Sequence, residues 1–207
     1  MRVISGRYRG RRLRGPRGMD LRPTGDRLKE TLFDILAATL EGSVFVDGFS
    51  GTGAIGIEAL SRRAREVVFI ERSREGASLI RENLDLCGIR DGFRLLTQDI
   101  FPALRSLGRE GFLADMVYLD PPYQWQPYQD LLDTVVAVSI VGATSRVILE
   151  HHRKASVPEA GKAYYLTRRV RQGDHCLSFY AVRSRSDADG DLPGGSVRQL
   201  AGPGRGC

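Results

Sequence analysis

"VFVDGFSGTGAIGIEAL", Val44 to Leu60, is the stretch on which the reading turns. An apolar run ends in an acid at Asp47. Glycines follow at 51 and 53, and then a segment of helix-forming composition, "GAIGIEALSRR". A short apolar run bounded by turn residues reads as a buried strand. A strand that passes through glycines into a helix is the opening unit of an open parallel sheet, whose ligands bind beyond the carboxyl ends of its strands.

The same unit recurs downstream. "EVVFIE" (66–71) leads into "REGASLIRENLDLCG", ending at Gly88. "FRLLTQD" (93–99) leads into "IFPALRSL". "DMVYLD" (115–120) is followed by "PYQDLLDTVVAVSI", and "SRVILEHH" (145–152) is the fifth strand. "KAYYLTRRVRQGDHCLSFYAVR" then breaks the pattern, with two strands around "RQGDH" and no helix between them long enough for a crossover. It reads as an antiparallel hairpin on the sheet edge. The expectation is an α/β fold, a mostly parallel sheet with helices on both faces.

Upstream, residues 1–22 alternate basic with small or apolar residues. Val3, Ile4, Tyr8 and Leu13 fit a short hairpin or ribbon with glycines at its turns. A helix follows in "RPTGDRLKETLFDILAATL", with Thr24 or Asp26 as its cap. Leu28, Leu32, Ile35, Leu36 and Leu40 share one face, and Phe33 lies off the centre of that stripe, available to another surface. Residues 184–207 lack periodicity and carry six glycines and two prolines. That tail is expected to be disordered. The division is thus a basic extension (1–22), an α/β domain (23–183) and a tail (184–207).

At 207 residues, 42% hydrophobic and 27% charged, the chain has the composition of a globular protein with one main core. No run of about 18 apolar residues is present, so no membrane span is expected. The arginine-rich start lacks the apolar region of a secretory signal. Cys87, Cys176 and Cys207 are scattered without a CxxC pair, which argues against a zinc knuckle or disulfide framework and for a reducing, cytoplasmic setting. The net charge of +6 is uneven: residues 1–30 hold ten basic and three acidic side chains. Arginine outnumbers lysine 28 to 3 overall, which compositional bias explains, but bias does not explain the clustering. A basic arm on a near-neutral body fits a polyanion, and Arg7, Arg9, Arg11, Arg12 and Arg22 are the candidate nucleic-acid contacts.

The loop after Asp47 is no P-loop, because no Gly-Lys-Ser/Thr follows. It contains a G-x-G-x-x-G, Gly51 to Gly56, but the acid comes first, as Asp47-x-Phe49-x-Gly51-x-Gly53. An acid there repels a pyrophosphate and favours a cation. S-adenosyl-L-methionine carries both an amino group and a sulfonium. The alternative for Asp47 is a cap on the following helix. Glu71, ending the second strand about 20 residues beyond the glycines, suits two ribose hydroxyls. Asp99, ending the third, suits an adenine amino group, with Ile100 or Phe101 against the ring. Thr52, Arg72 and Thr24 complete the cofactor set. The fourth strand ends in Asp120-Pro121-Pro122-Tyr123. The carboxylate and a fixed proline carbonyl make two acceptors for one planar NH₂, and Tyr123 offers a ring for a base. Acceptors on an aromatic amine stabilise the positive charge that grows as it attacks a methyl group. Trp125 either stacks on RNA or covers the core. The three histidines form no cluster, and no metal is expected.

These motifs, in this order on successive strands, resemble a class I S-adenosylmethionine-dependent methyltransferase of the amino-methylating kind. More narrowly, "RVISGRYRGRRL", "LRPTGDRLKETLFDIL", "DGFSGTGAIGIEALSRRA", "DPPY" and "RQGDHCLSFY" resemble the bacterial 16S ribosomal RNA guanine-N2 methyltransferase family, often called RsmD, over residues 1–182. The loop departs mildly: the family commonly has alanine where Ser50 stands and serine where Thr52 stands. The resemblance implies a seven-stranded Rossmann-like sheet with an N-terminal extension. It implies S-adenosyl-L-methionine as cofactor and 16S rRNA or a 30S assembly particle as partner, and a monomer is expected. The rival readings are a DNA adenine-N6 or cytosine-N4 methyltransferase, which shares Asp-Pro-Pro-Tyr, and a non-catalytic RNA-binding assembly factor.

Overall fold

Each apolar run of the sequence becomes a strand, and each amphipathic segment between them a helix laid on the sheet. The structure, a computed structural model, describes residues 1–15, 23–122, 124–125 and 127–183. In chain order the elements are α1 (Pro23–Leu40), β1 (Val44–Gly48), α2 (Ala54–Ser61), β2 (Glu66–Ile70), α3 (Arg74–Cys87) and β3 (Phe93–Leu96). Then come α4 (Ile100–Arg109), β4 (Met116–Leu119), α5 (Tyr128–Ala137), β5 (Arg146–His152), β6 (Tyr164–Gln172) and β7 (His175–Val182).

The seven strands order as β3-β2-β1-β4-β5-β7-β6. β1 to β5 are parallel, and β7 runs antiparallel between β5 and β6. The chain winds outward from β1 to β3, then returns to lay β4 and β5 on the other side of β1. The order therefore reverses between β1 and β4, and a crevice opens at the carboxyl ends of those two strands.

Strand alternation divides the core into two layers. Phe45, Val67, Phe69, Met116, Tyr118, Ile148 and Phe179 face α1, α2 and α3. Val46, Val68, Ile70, Val117, Leu119 and Leu149 face α4 and α5. Gly56 allows α2 to lie close on β2, since a Cβ there would sit 2.2 Å from the Phe69 ring. Ser73 caps α3 by accepting from the Gly76 N–H at 2.9 Å, and Gly88 ends that helix in the left-handed region.

α1 begins at Pro23, ahead of the expected cap at Thr24 or Asp26. Proline suits the first helical position, where its fixed φ fits and its missing N–H is not needed. Leu28, Leu32, Leu36 and Leu40 are buried as expected. Phe33 is corrected: it is fully buried, 6.4 Å from the Phe45 ring, with the Arg62 guanidinium 5.0 Å above its own ring. It serves the core, not a separate surface.

The extension is a hairpin, with Arg2 bridged to Arg12 and Val3 and Leu13 turned inward. Its anchor is Glu58 on α2, wholly buried. Glu58 accepts from the Ile4 and Ser5 N–H groups at 2.7 and 2.9 Å and from Arg62 Nε at 2.9 Å. Lys29 Nζ lies 3.5 Å from the same carboxylate and donates to the Arg2 carbonyl at 2.7 Å. Ser61 adds a second anchor through Tyr8 N–H and the Ser5 carbonyl. Among the described residues no helix is long and apolar enough to cross a membrane. Arg22, Tyr123 and the tail at 184–207 lie outside the described residues, as does the Thr24 side chain.

Candidate active site at the switch point

The crevice between β1 and β4 holds a cavity of about 330 Å³, lined from four successive strand ends. β1 contributes Phe49, β2 Ile70 to Ser73, β3 Gln98 to Ile100, and β4 Asp120, Pro122 and Trp125. Phe49, Glu71, Arg72, Asp99, Ile100, Asp120 and Pro122 were expected there from the sequence, and they do line one cavity.

Glu71 accepts from Gly51 N–H at 2.9 Å through Oε2 and from Ser73 N–H at 2.9 Å through Oε1. It ties the glycine loop to the end of β2, and each oxygen can accept a further hydrogen bond. Asp99 caps α4 by accepting from Phe101 N–H at 3.2 Å and stays exposed. Trp125 forms one wall, edge-on to Phe49 at 5.0 Å and stacked on Phe101 at 6.1 Å. Its Nε1 is buried and has no partner among the described residues.

Asp47 is placed differently from the expected cation contact. It points into the α1–α3 layer, is 1% exposed and does not line the cavity. Its Oδ2 accepts from Gly56 N–H at 2.9 Å, in the first turn of α2. It therefore caps the helix beneath the loop, the alternative weighed from the sequence. Burial, with the nearby Glu71 charge, pushes its carboxyl up to about 8 against the opposing pull of the Gly56 bond. Gly51, Thr52 and Gly53 likewise shape the loop and do not line the cavity. Gly53 takes φ 75° at the α2 N-terminus, and Ser50 Oγ pins the loop to the Asp47 and Ile70 carbonyls. The Thr52 hydroxyl donates to Met1 Sδ at 3.7 Å, and its carbonyl accepts from Asn83 at 2.9 Å, so the N-terminal hairpin braces the loop from outside.

Asp120 follows the last residue of β4 and opens into the cavity. Its carboxyl is pushed well up from the ordinary range, first by enclosure, then by Glu150, then by Asp47. Because the side chain is exposed on the cavity, the enclosure effect is moderated and the like charges carry weight. Pro121 is buried, and among the described residues no backbone N–H is bonded to its carbonyl. The Pro122 carbonyl is taken by Trp125 N–H at 2.7 Å, which closes the turn. Ser73 and Gln98 were missed from sequence. Both are short steps from named acids, in "ERS" and "TQD", and lacked a charge to single them out.

Arg7, Arg9, Arg11 and Arg12 are exposed on the hairpin and make no ion pair among the described residues. Arg7 lies over the Tyr8 ring at 5.5 Å. The hairpin turn that carries Arg7 and Arg9 rests on Ser61 at the C-terminal end of α2, away from the glycine loop, and none of the four lines the cavity. Among the described residues no cluster of His, Cys, Asp and Glu could hold a metal. His151 is buried on Ser178, and Cys87 packs in the core.

Comparison with known proteins agrees with this geometry. The Escherichia coli (strain K12) protein "Ribosomal RNA small subunit methyltransferase D" is 28% identical over 191 residues, 92% of this chain and 94% of that one. The solved structure of yhhF from Escherichia coli superposes with a TM-score of 0.76 at 28% identity, covering 89% of this chain and 99% of that one. SMU.776, whose crystal structure is a complex with SAH, shares the fold at a TM-score of 0.64 and 13% identity, over 74% of this chain and 49% of that one. The sheet order and its antiparallel closing hairpin are thus the Rossmann-like fold of class I methyltransferases. The family model described as "Conserved hypothetical protein 95" matches residues 1–181, and the chain belongs to that family, the RsmD family.

Proposed function

We propose that the chain transfers a methyl group from S-adenosyl-L-methionine to the exocyclic N2 of a guanine in small-subunit ribosomal RNA. The observation that carries the reading is Asp120, with Pro122, opening into the same cavity as Glu71 and Asp99, and Pro121 buried between them.

The cavity's donor set fits the cofactor. Glu71 offers carboxylate oxygens to ribose hydroxyls, Asp99 to an adenine amino group, and Ile100 a flat apolar contact. Phe49 and Trp125 give aromatic walls beside the reacting position, suited to a sulfonium. Bound there, the cofactor supplies an electrophilic methyl group. The protein's part is to hold the acceptor amine. Asp120 accepts one N–H and the Pro121 carbonyl the other, so the nitrogen lone pair is turned toward the methyl carbon. The same acceptors stabilise charge growing on nitrogen, each worth about 1.5–3 kcal/mol as a hydrogen bond to a charged group. A base stacked in RNA must swing out to reach this depth. The exposed arginines of the hairpin suit phosphates of the RNA away from the reacting base.

The test is labelled methyl transfer to 30S particles and to naked 16S rRNA from cells lacking this protein, with duplex DNA alongside, followed by mass mapping of the modified nucleoside. An N2-methylguanosine in rRNA is expected, and label in DNA or on another base would overturn the assignment. Asp120→Ala is expected to lose on the order of a hundredfold or more in turnover, as for an oxyanion-hole donor, while keeping cofactor binding. Equal loss of both would remove the assigned role.

A further inference from the structure

Asp120 has a neighbour that the methyl-transfer reading leaves unused. β4 and β5 are parallel and paired through Leu119 and Leu149, so the next position along sets Asp120 beside Glu150. Neighbouring strands lie about 4.8 Å apart, so the two side chains start side by side on one face. Glu150 does not line the cavity, and its side chain is 13% exposed. It adjoins Asp120 from outside the cavity lining. Two groups hold it. The Tyr118 hydroxyl donates to Oε2, and His175 Nδ1 lies 2.9 Å from Oε1. The His175 side chain, on β7, is 50% exposed. A line of titratable groups therefore runs from the cavity to the surface through the sheet edge: Asp120, Glu150, His175.

We propose that Glu150 and His175 are the proton exit of the site, taking from Asp120 the proton that the acceptor amine releases and passing it to solvent. This rests on the methyl-transfer reading above. The balance of that reaction requires such an exit. The amine lone pair forms the new N–C bond. The donor's C–S bond breaks with its electron pair going to sulfur, which loses its positive charge. The nitrogen then carries the positive charge and sheds one N–H proton to the Asp120 carboxylate. A base and a cofactor together fill the cavity and displace the water that reaches Asp120 from the front. Glu150, on the adjoining strand and outside the cavity lining, remains beside Asp120.

The groups around Asp120 fit this task. Glu150 from β5, Asp47 from β1, Tyr118 from β4 and Tyr128 from α5 all face it. Two of these are carboxylates, and like charges raise its affinity for a proton. Burial and those same carboxylates hold the Tyr118 hydroxyl far above its usual range, so it remains a donor to Glu150. Asp120 is the member of the pair whose carboxyl is pushed up. Glu150 touches neither base nor cofactor; it is a positioning and relay residue.

The experiment uses full-length protein and its Glu150→Gln and His175→Ala variants, with melting curves to confirm folding. In single turnover on rRNA, Glu150→Gln is expected to slow methyl transfer on the order of tenfold to a hundredfold with cofactor affinity unchanged. Removing a like charge lowers the Asp120 pKa, so the acid limb of its pH–rate profile should move to lower pH. His175→Ala should slow transfer and be restored by added imidazole. A readout without turnover accompanies these: ¹³C-carboxyl titration of Asp120 in the cofactor-free protein, whose midpoint should fall in Glu150→Gln. An unmoved acid limb and midpoint, or no rescue by imidazole, overturns the proposal. Wild-type protein that transfers nothing to rRNA, with the Asp120 midpoint still shifting, sinks the methyl-transfer reading instead.

Discussion

Replacing Glu58 with alanine tests whether the basic hairpin is a built part of this protein or a loosely attached arm. Glu58 is wholly buried and holds the Ile4 N–H, the Ser5 N–H, Arg62 Nε and, at 3.5 Å, Lys29 Nζ. Burial alone pushes the Lys29 ammonium toward deprotonation, and Glu58 is the strongest influence opposing it. Removing one partner of a buried ion pair costs about 3–5 kcal/mol. The two stranded N–H groups would add about 1–3 kcal/mol each if they stayed buried. They need not, because the hairpin can lift and rehydrate them. Lifting exposes Val3 and Leu13, now 1% and 5% exposed. Each loses about 1.5–3 kcal/mol of burial. Staying down would cost about 5–11 kcal/mol and lifting about 3–6 kcal/mol, so the hairpin lifts, and the expected loss is about 4 kcal/mol. For a chain of this size that is a fall in melting temperature of about 8–16 °C. The assay is a thermal melt with hydrogen exchange followed at Ile4 and Ser5. Their amides should lose protection, while β1 and β4 amides keep theirs. Glu58→Gln, which retains one acceptor oxygen, should fall between. A melt within about 2 °C of wild type, with Ile4 and Ser5 still protected, would refute the reasoning.

Three further outcomes rest on the same geometry. Asp47 holds its proton up to about 8 when folded and gives it up near 4 when unfolded. The folded state then binds more protons between those values, so stability should decline as pH rises from about 4 to 8, by at most about 1.4 kcal/mol per pH unit. Denaturant unfolding at pH 5 and pH 8 checks this, and Asp47→Asn should flatten the difference. Gly56→Ala places a methyl 2.2 Å from the Phe69 ring, and such overpacking should cost about 1–3 kcal/mol in the same unfolding assay. Neutralising Arg7, Arg9, Arg11 and Arg12 together should weaken rRNA binding and reduce the slope of log affinity against log salt by about 0.7–0.9 for each phosphate the hairpin no longer neutralises. An unchanged slope would take the hairpin out of the interface.

The strands were readable because a parallel sheet buried on both faces writes itself as short apolar runs, and β1, β2, β4 and β5 lie within a residue or two of those runs. The hairpin of β6 and β7 was readable because nothing between Gln172 and His175 is long enough to cross over. What stayed hidden were interactions between positions far apart in the chain. Glu58 reads as an ordinary helix acid in "GIEAL", since its acceptor role is set by Ile4 and Ser5, more than 50 residues away. Phe33 falls off the helical stripe, but α1 meets both β1 and the Arg62 side chain, so its buried sector is wider than one stripe.

The acids at the strand ends show most plainly what sequence order can and cannot say. Asp47, Glu71, Asp99 and Asp120 look alike in sequence: each closes an apolar run. The structure separates them by register. Asp47 lies within β1, paired with Phe69 and Tyr118 on its neighbours, so strand alternation commits its side chain to the buried layer. Glu71, Asp99 and Asp120 follow the last paired residues Ile70, Leu96 and Leu119, at the open ends of the strands where side chains line the cavity. One or more residues past the ladder is the difference between a carboxyl that shapes the loop and one that can meet a ligand. The same rule accounts for Glu150. It is still inside β5, paired with Leu177, and so stands beside Asp120 rather than in the cavity. An acid in the ladder tunes its neighbours, and an acid past the ladder acts on what binds.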